Sequence, residues 1–295
     1  MLFVCATPIG NLGDVSRRLL ETLAHVQYIA CEDTRHTLKL LSHHEIKGPR
    51  LLSLHEHNQA QRVQELLPLL RDGADIALVS DAGTPLISDP GFALIRACRE
   101  EGIAVTAIPG PSAALVALVL SGLPTERVLF TGFLPRRRDQ VAGLLDDASR
   151  VHATLVTFES PRRVRRTLEA LAELAPEMEV ALCRELTKVH EEVITGSPAA
   201  VAAGLPDRVR GEIVLVMRVA RATAQALPTL DDEPFVQDML QNGASTRDIA
   251  QRLAEWTGCP RSVAYERVLE IRRAWRRVES AVPEPATERE EEPSQ

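Results

Sequence analysis

Ile76-Ala77-Leu78-Val79-Ser80-Asp81-Ala82-Gly83-Thr84-Pro85-Leu86-Ile87-Ser88-Asp89-Pro90-Gly91 is the stretch on which the reading of the fold turns. Its first four residues form a short apolar run, the mark of a strand buried on both faces. Phe92 to Glu101 then follows in an apolar, arginine-bearing pattern that reads as a helix. A glycine-rich, acid-containing loop between strand and helix lies beyond the carboxyl end of the strand, where open α/β sheets bind ligands. Gly83 and Gly91 permit close backbone approach or a positive φ, and Pro85 and Pro90 stiffen the path between them. Asp81 sets an acceptor at the strand end. The plainer reading is a polar connection in which Ser88 or Asp89 caps the helix.

Working outward, the same arrangement recurs. Leu2 to Ala6 is strand-like, Thr7 to Asp14 is a turn-rich loop, and Asp14 or Ser16 caps a helix through Leu23. Tyr28 to Cys31 is a strand closed by Glu32-Asp33-Thr34-Arg35; Asp33 reads as a helix cap, and Arg35 is left open between cap and substrate contact. Leu51 to Leu54 ends in His55-Glu56-His57-Asn58, a polar lip on a cleft rather than a metal site, because no further ligands stand out. Val105 to Ile108 is followed by Pro109-Gly110-Pro111-Ser112-Ala113, a sharp turn in which Ser112 can cap the next helix. In a parallel sheet the carboxyl ends share one edge, so these loops converge on one ligand.

A second α/β half begins near Leu120. Val128 to Leu134, Ala153 to Phe158, Val180 to Cys183, Glu191 to Thr195 and Ile213 to Met217 read as the strands of a mixed sheet. Ala220 to Asp232 reads as a linker. Helical patterns around Phe235, Met239 and Leu240, from Ser245 to Ala254, and after Pro260 make a small module with a helix-turn-helix-like turn. A plain three-helix appendage fits equally well. The expected divisions are residues 1–120, 121–220, 232–280 and a disordered acidic tail, 281–295.

Composition bounds the function. The 295 residues are 45% hydrophobic but only 3% aromatic, so the cores rest on Ala, Leu and Val. The net charge of −7 opposes a uniformly basic nucleic-acid binder, yet Glu284 to Glu292 holds five glutamates against one arginine, which leaves the body nearer neutral. Five scattered cysteines with no Cys-x-x-Cys fit a reducing compartment. No apolar run is long enough for a bilayer and no signal peptide precedes the first strand, so the cytoplasm is expected and no membrane partner.

Thr7 to Asp14, Glu32 to Arg35, His55 to Asn58, Ser80 to Gly91, Pro109 to Ala113, Phe158-Glu159-Ser160-Pro161-x-Arg163 and Cys183 to Lys188 occur in this order. Together they closely resemble the tetrapyrrole-methylase superfamily, and within it the members that methylate small-subunit ribosomal RNA. The resemblance implies two αβα domains of the class III methyltransferase type, with S-adenosylmethionine (SAM) in the cleft between them, usually in a homodimer. It implies ribose 2′-O-methylation of a cytidine in the decoding region of 16S rRNA, with the 30S subunit as partner. It carries cofactor contacts onto Pro8, Ile9, Gly10, Asp81, Ala82, Gly83, Thr84, Ile87, Pro109, Gly110, Pro111, Ser112, Ala113 and Phe158. Two departures touch the cleft: Thr157 precedes Phe158 where an aromatic pair is common, and Arg162 stands where His is common.

The expected catalytic residues are Glu185 (or Glu191) as base, Lys188 steering a phosphate or tuning a neighbour, and Arg35. The plain alternative pairs Glu185 with Arg184 or with the other subunit. Arg136, Arg137, Arg138, Arg162 to Arg166, and Arg272, Arg273, Arg276 and Arg277 make a track for RNA phosphates. The competing functions are a tetrapyrrole methylase of the same fold and a non-catalytic ribosome-binding protein with a relic cleft.

Overall fold

A computed structural model describes residues 1–219, 232–257, 259 and 261–279, without the side chains of 262, 274 and 276–279. The chain divides into two compact units, Met1–Ala220 and Arg221–Gln295. The expected disordered tail, 281–295, and nearly all of the expected linker lie outside the described residues.

The first unit opens with β1 (Leu2–Cys5), α1 (Arg17–His25), β2 (Tyr28–Cys31), α2 (Thr34–His43), β3 (Arg50–Ser53), α3 (Gln59–Arg71), β4 (Ile76–Val79), α4 (Phe92–Glu100), β5 (Val105–Ile108) and α5 (Ala113–Ser121). The sheet order is β3-β2-β4-β1-β5, and every pairing is parallel. β4 is interior and wholly buried, as its unbroken apolar run requires. The helix starts follow the sequence. Ser16 Oγ accepts from the Leu19 amide at 3.0 Å, and the Asp33 carboxylate accepts from the Arg35 amide at 2.8 Å.

The second half carries β6 (Val128–Phe133), α6 (Arg138–Arg150), β7 (Thr154–Glu159), α7 (Val164–Leu174), β8 (Glu179–Arg184), β9 (Glu192–Gly196), α8 (Pro198–Gly204) and β10 (Ile213–Arg218). Its sheet runs β6-β7-β10-β8-β9 and is mixed: β6 and β7 are parallel, and the other pairings are antiparallel. α5 joins the two halves. Ala117 and Leu118 are buried in a cluster with Ile9, Val156, Ala181, Val214 and Val216, so one face of α5 is core for the second sheet. Its other face keeps Leu115 and Val119 in solvent, 62% and 76% exposed.

The second unit is three helices, α9 (Asp232–Gln241), α10 (Thr246–Thr257) and α11 (Arg261–Glu279), around Val236, Ile249, Leu253, Val268 and Ile271. Asp232, where the expected linker meets the expected module, opens α9, is buried, and takes both arms of the Arg267 guanidinium at 2.8 and 3.0 Å. Ser245 caps α10, accepting from the Asp248 amide at 3.2 Å, and Thr246 accepts from Arg272. No helix among the described residues is long and apolar enough to cross a membrane.

Candidate functional site

The loops beyond the carboxyl ends of the first sheet are tied together by backbone. Thr7 and Gly83 exchange both amide–carbonyl bonds, at 2.9 and 3.0 Å, joining the loops after β1 and β4. Thr84 Oγ1 donates to the Pro111 carbonyl at 3.1 Å, bringing in the loop after β5. Asp81 accepts from the Asp33 amide at 2.9 Å and faces His36 Nδ1 at 3.2 Å, bringing in the loop after β2. The strand order makes this convergence possible, since β4 lies between β2 and β1.

These loops form one wall of a cavity of about 380 Å³ whose other wall comes from the second sheet. Ile9, Ala82, Gly83, Thr84 and Ile87 line it, with Ser112, Ala113 and Phe158. Of the other expected contacts, Pro8, Gly10, Asp81, Pro109, Gly110 and Pro111 do not line the cavity. Asp81 and Pro111 instead hold the loops that do. Gly83, at φ 77°, has Ile9 Cγ2 3.3 Å from where a Cβ would stand, so a side chain there would both strain the backbone and push on the wall.

Phe158 is the aromatic base of the cavity, edge-on to Phe130 and Phe133 with centroids 5.2 and 5.7 Å away. Of these two, Phe133 also lines the cavity. Thr157 points away into the fold, fully buried, and donates to the Gly132 carbonyl at 2.7 Å.

The capping reading of the Ser80–Gly91 loop is corrected. Gly91, at φ 125°, occupies the cap position of α4, and no side chain caps it. Ser88 and Asp89 line the cavity instead. Ser112 likewise sits at the start of α5 without a side-chain cap bond, which leaves its hydroxyl to the cavity. Burial, the facing Glu32 and the nearby Asp81 raise the Asp89 carboxyl to about 6, against the Ser80 hydroxyl, which lowers it. Burial and Asp81 also raise Glu32. Asp89, which the sequence reading offered as a cap, is a cavity-lining carboxylate.

The expected base is placed differently. Glu185 does not line the cavity; its Oε1 takes Lys188 Nζ at 2.9 Å and the Glu212 amide at 3.1 Å. Chiefly that Lys188 contact holds its carboxyl below the ordinary range. It does not pair with Arg184, which is held by Glu192 at 2.7 Å. Glu191 accepts from the Thr187 amide at 2.7 Å. The whole loop is packed on the first half: Thr187 Oγ1 accepts from the Asn11 amide at 3.1 Å, and a Cβ on Gly10 would lie 2.5 Å from Lys188 Cγ. Glu185 and Thr187 pay for this with positive φ, 52° and 65°, as do Leu86 and Ser88 across the cleft, 73° and 74°. Arg35 is also outside the cavity, bound to the Asp33 carboxylate, which it keeps well below the usual range.

The arginines sort by partner. Arg163 reaches the Leu134 and Pro135 carbonyls at 3.0 and 3.3 Å and the buried Glu159 at 3.2 Å, so it brackets the fold. Arg137 sits on Asp139, Arg138 on Glu173, and Arg272 on Thr246. Arg136, Arg162 and Arg273 make no side-chain hydrogen bond or ion pair among the described residues, and Arg276 and Arg277 lie outside the described side chains.

A family model described as "Tetrapyrrole (Corrin/Porphyrin) Methylases" matches residues 1–202. The chain belongs to that methylase family. Methyltransferases of this family use SAM as methyl donor. A Synechocystis methylase named "Ribosomal RNA small subunit methyltransferase I" is 42% identical over 92% of this chain and 98% of its own. A protein of the same name from Hydrogenobaculum is 46% identical over 73% of this chain and 94% of its own. Among solved methylases, diphthine synthase superposes with a TM-score of 0.58 at 15% identity, over 74% of this chain and 89% of that one, a likeness of fold alone.

Proposed function

We propose that this methylase transfers the methyl group of SAM to the ribose 2′-oxygen of a cytidine in the decoding region of 16S rRNA, acting on the 30S subunit as a cytoplasmic homodimer. The observation that carries this reading is the pairing of an intact cofactor-sized cleft with end-to-end similarity to proteins named for small-subunit rRNA methylation. The helical unit and the arginines support RNA over a tetrapyrrole, because a small substrate requires neither.

The residues present fit the donor. Phe158 offers an aromatic surface to a purine, with Phe133 edge-on beside it, the Gly83 backbone permits close approach, and Asp89 lines the cavity with a carboxylate suited to a cation. When bound, SAM supplies a methyl group already activated on a sulfonium. The protein's part is then to hold the ribose oxygen in line and to accept its proton. Asp89 meets the second need: at about 6 its carboxyl is ionised at neutral pH yet basic enough to take the proton as the oxygen–carbon bond forms. The Glu185–Lys188 loop acts at a distance, fixing the loop that carries Ile9.

The test is transfer of labelled methyl from SAM to 30S subunits, with naked 16S rRNA and a tetrapyrrole precursor in parallel. Label in 30S RNA that resists alkali at a single cytidine-containing dinucleotide is the expected result. Label in the tetrapyrrole alone would reassign the substrate.

A further inference from the structure

A second groove, of about 600 Å³, opens beside the cofactor cleft. Pro161 and Gly211 line both cavities, so the two are neighbours that share a wall. Four of the other six lining residues are arginines: Arg162 just before α7, Arg165 in its first turn, and Arg208 and Arg210 from the segment before β10. Asp207 is the one acid in the lining.

The four guanidinium groups are not equivalent. Arg165 is spent on the fold, donating to the carbonyls of Ala202, Leu205 and Pro206 at 3.0 to 3.1 Å, where α8 ends. That clamp fixes the base of the 207–210 segment. Val209 packs half-buried on the core of the second sheet, and Arg184 Nη1 lies 3.5 Å from the Arg210 carbonyl. Gly211, at φ 89°, turns the chain against Glu185, which fills the space where a side chain would be. With residue 209 inward, Arg208 and Arg210 are both exposed, as is Arg162 across the groove. The guanidinium groups of these three make no hydrogen bond or ion pair with any described residue. Elsewhere in the unit, Arg17, Arg71, Arg96 and Arg150 each rest on a carboxylate.

We propose that Arg162, Arg208 and Arg210 form a phosphate-binding groove that grips the RNA backbone next to the ribose presented to the cleft. This rests on the RNA reading given above. Guanidinium is the group suited to bidentate phosphate recognition, and an unpaired set avoids breaking internal ion pairs on binding. The shared wall at Pro161 and Gly211 puts these charges where nucleotides flanking the target would pass. Arg208 and Arg210 carry no motif, which is why only the fold brings them to Arg162.

The experiment compares wild type, Arg162→Gln, the double variant Arg208→Gln/Arg210→Gln, and Arg96→Gln as a control on a distant face. Binding to 30S subunits and to naked 16S rRNA is measured across a salt series, with SAM affinity measured alongside. The double variant is expected to lose at least about tenfold in RNA affinity near physiological salt. Its log–log salt slope should fall by about 1 per arginine removed, with SAM affinity unchanged within twofold. Arg96→Gln should match wild type. RNA affinity and salt slope in the double variant equal to wild type would overturn the groove while leaving the RNA methylase reading intact. A wild-type protein that binds SAM but neither RNA would overturn both.

Discussion

Asp89 and Glu185 are both carboxylates near the same cleft, and their surroundings give them opposite chemistry. Asp89 faces other acids in a half-buried wall and is raised to about 6; Glu185 faces Lys188 and is lowered. We predict that Asp89→Asn cuts the single-turnover methylation rate by about 10²- to 10⁴-fold, the range of a general base. A rate within a few-fold of wild type would remove Asp89 from that role. The same residue sets a stability signature. Its folded value lies above the ordinary 3.8, so the folded state binds this proton more tightly than the unfolded chain. That contribution is complete below about pH 4 and is lost as pH rises through about 6. Thermal melts should therefore show Asp89→Asn more stable than wild type at pH 8, with the advantage gone near pH 4. Glu185→Gln, by contrast, is expected to keep its single-turnover rate within about threefold at saturating SAM, since the side chain holds a loop. A hundredfold fall in that rate would return Glu185 to the chemistry.

At the scale of elements, the strand–loop–helix units of the first half were legible because each rests on local signals: a four-residue apolar run, a Gly/Pro loop, then a helix with one apolar face. The same locality explains the misses. Asp89 looks like a cap because Ser-Asp-Pro-Gly before a helix is capping chemistry, and only the strand order brings Glu32 beside it. Glu212 and the Arg208–Arg210 segment carry no motif and reach the site through β10, which is central in its sheet though last in sequence. The glycine of that cap position is a test of how tightly the loop is drawn. At Gly91 a Cβ would stand 2.8 Å from Leu78 Cδ2, on a backbone at φ 125°. Gly91→Ala should cost about 1–3 kcal/mol in denaturant unfolding, from strain and from displaced core. Gly102→Ala, also at positive φ (70°) but in open space, should cost distinctly less. Equal losses would mean that the Leu78 contact is easily relieved.

At the scale of the whole molecule, α5 presents apolar residues on two opposite faces, and only one is used within the chain. Leu115 and Val119 remain exposed on the face turned from the second sheet. If a second copy covers them, Leu115→Asp/Val119→Asp should run as a monomer by light scattering where wild type runs as a dimer, with SAM binding retained. A monomeric wild type would refute the dimer. The packing of the Glu185–Lys188 loop on Gly10 reaches further than the present fold. A Cβ at position 10 would collide with a side chain 178 positions away along the chain, so neither half is free to vary alone at this seam. Recombination between two such methylases near residue 120 would inherit Gly10 from one parent and Lys188 from the other. Chimeras should fold only where both parents meet that contact in the same way, so the two halves are exchangeable only as a matched pair.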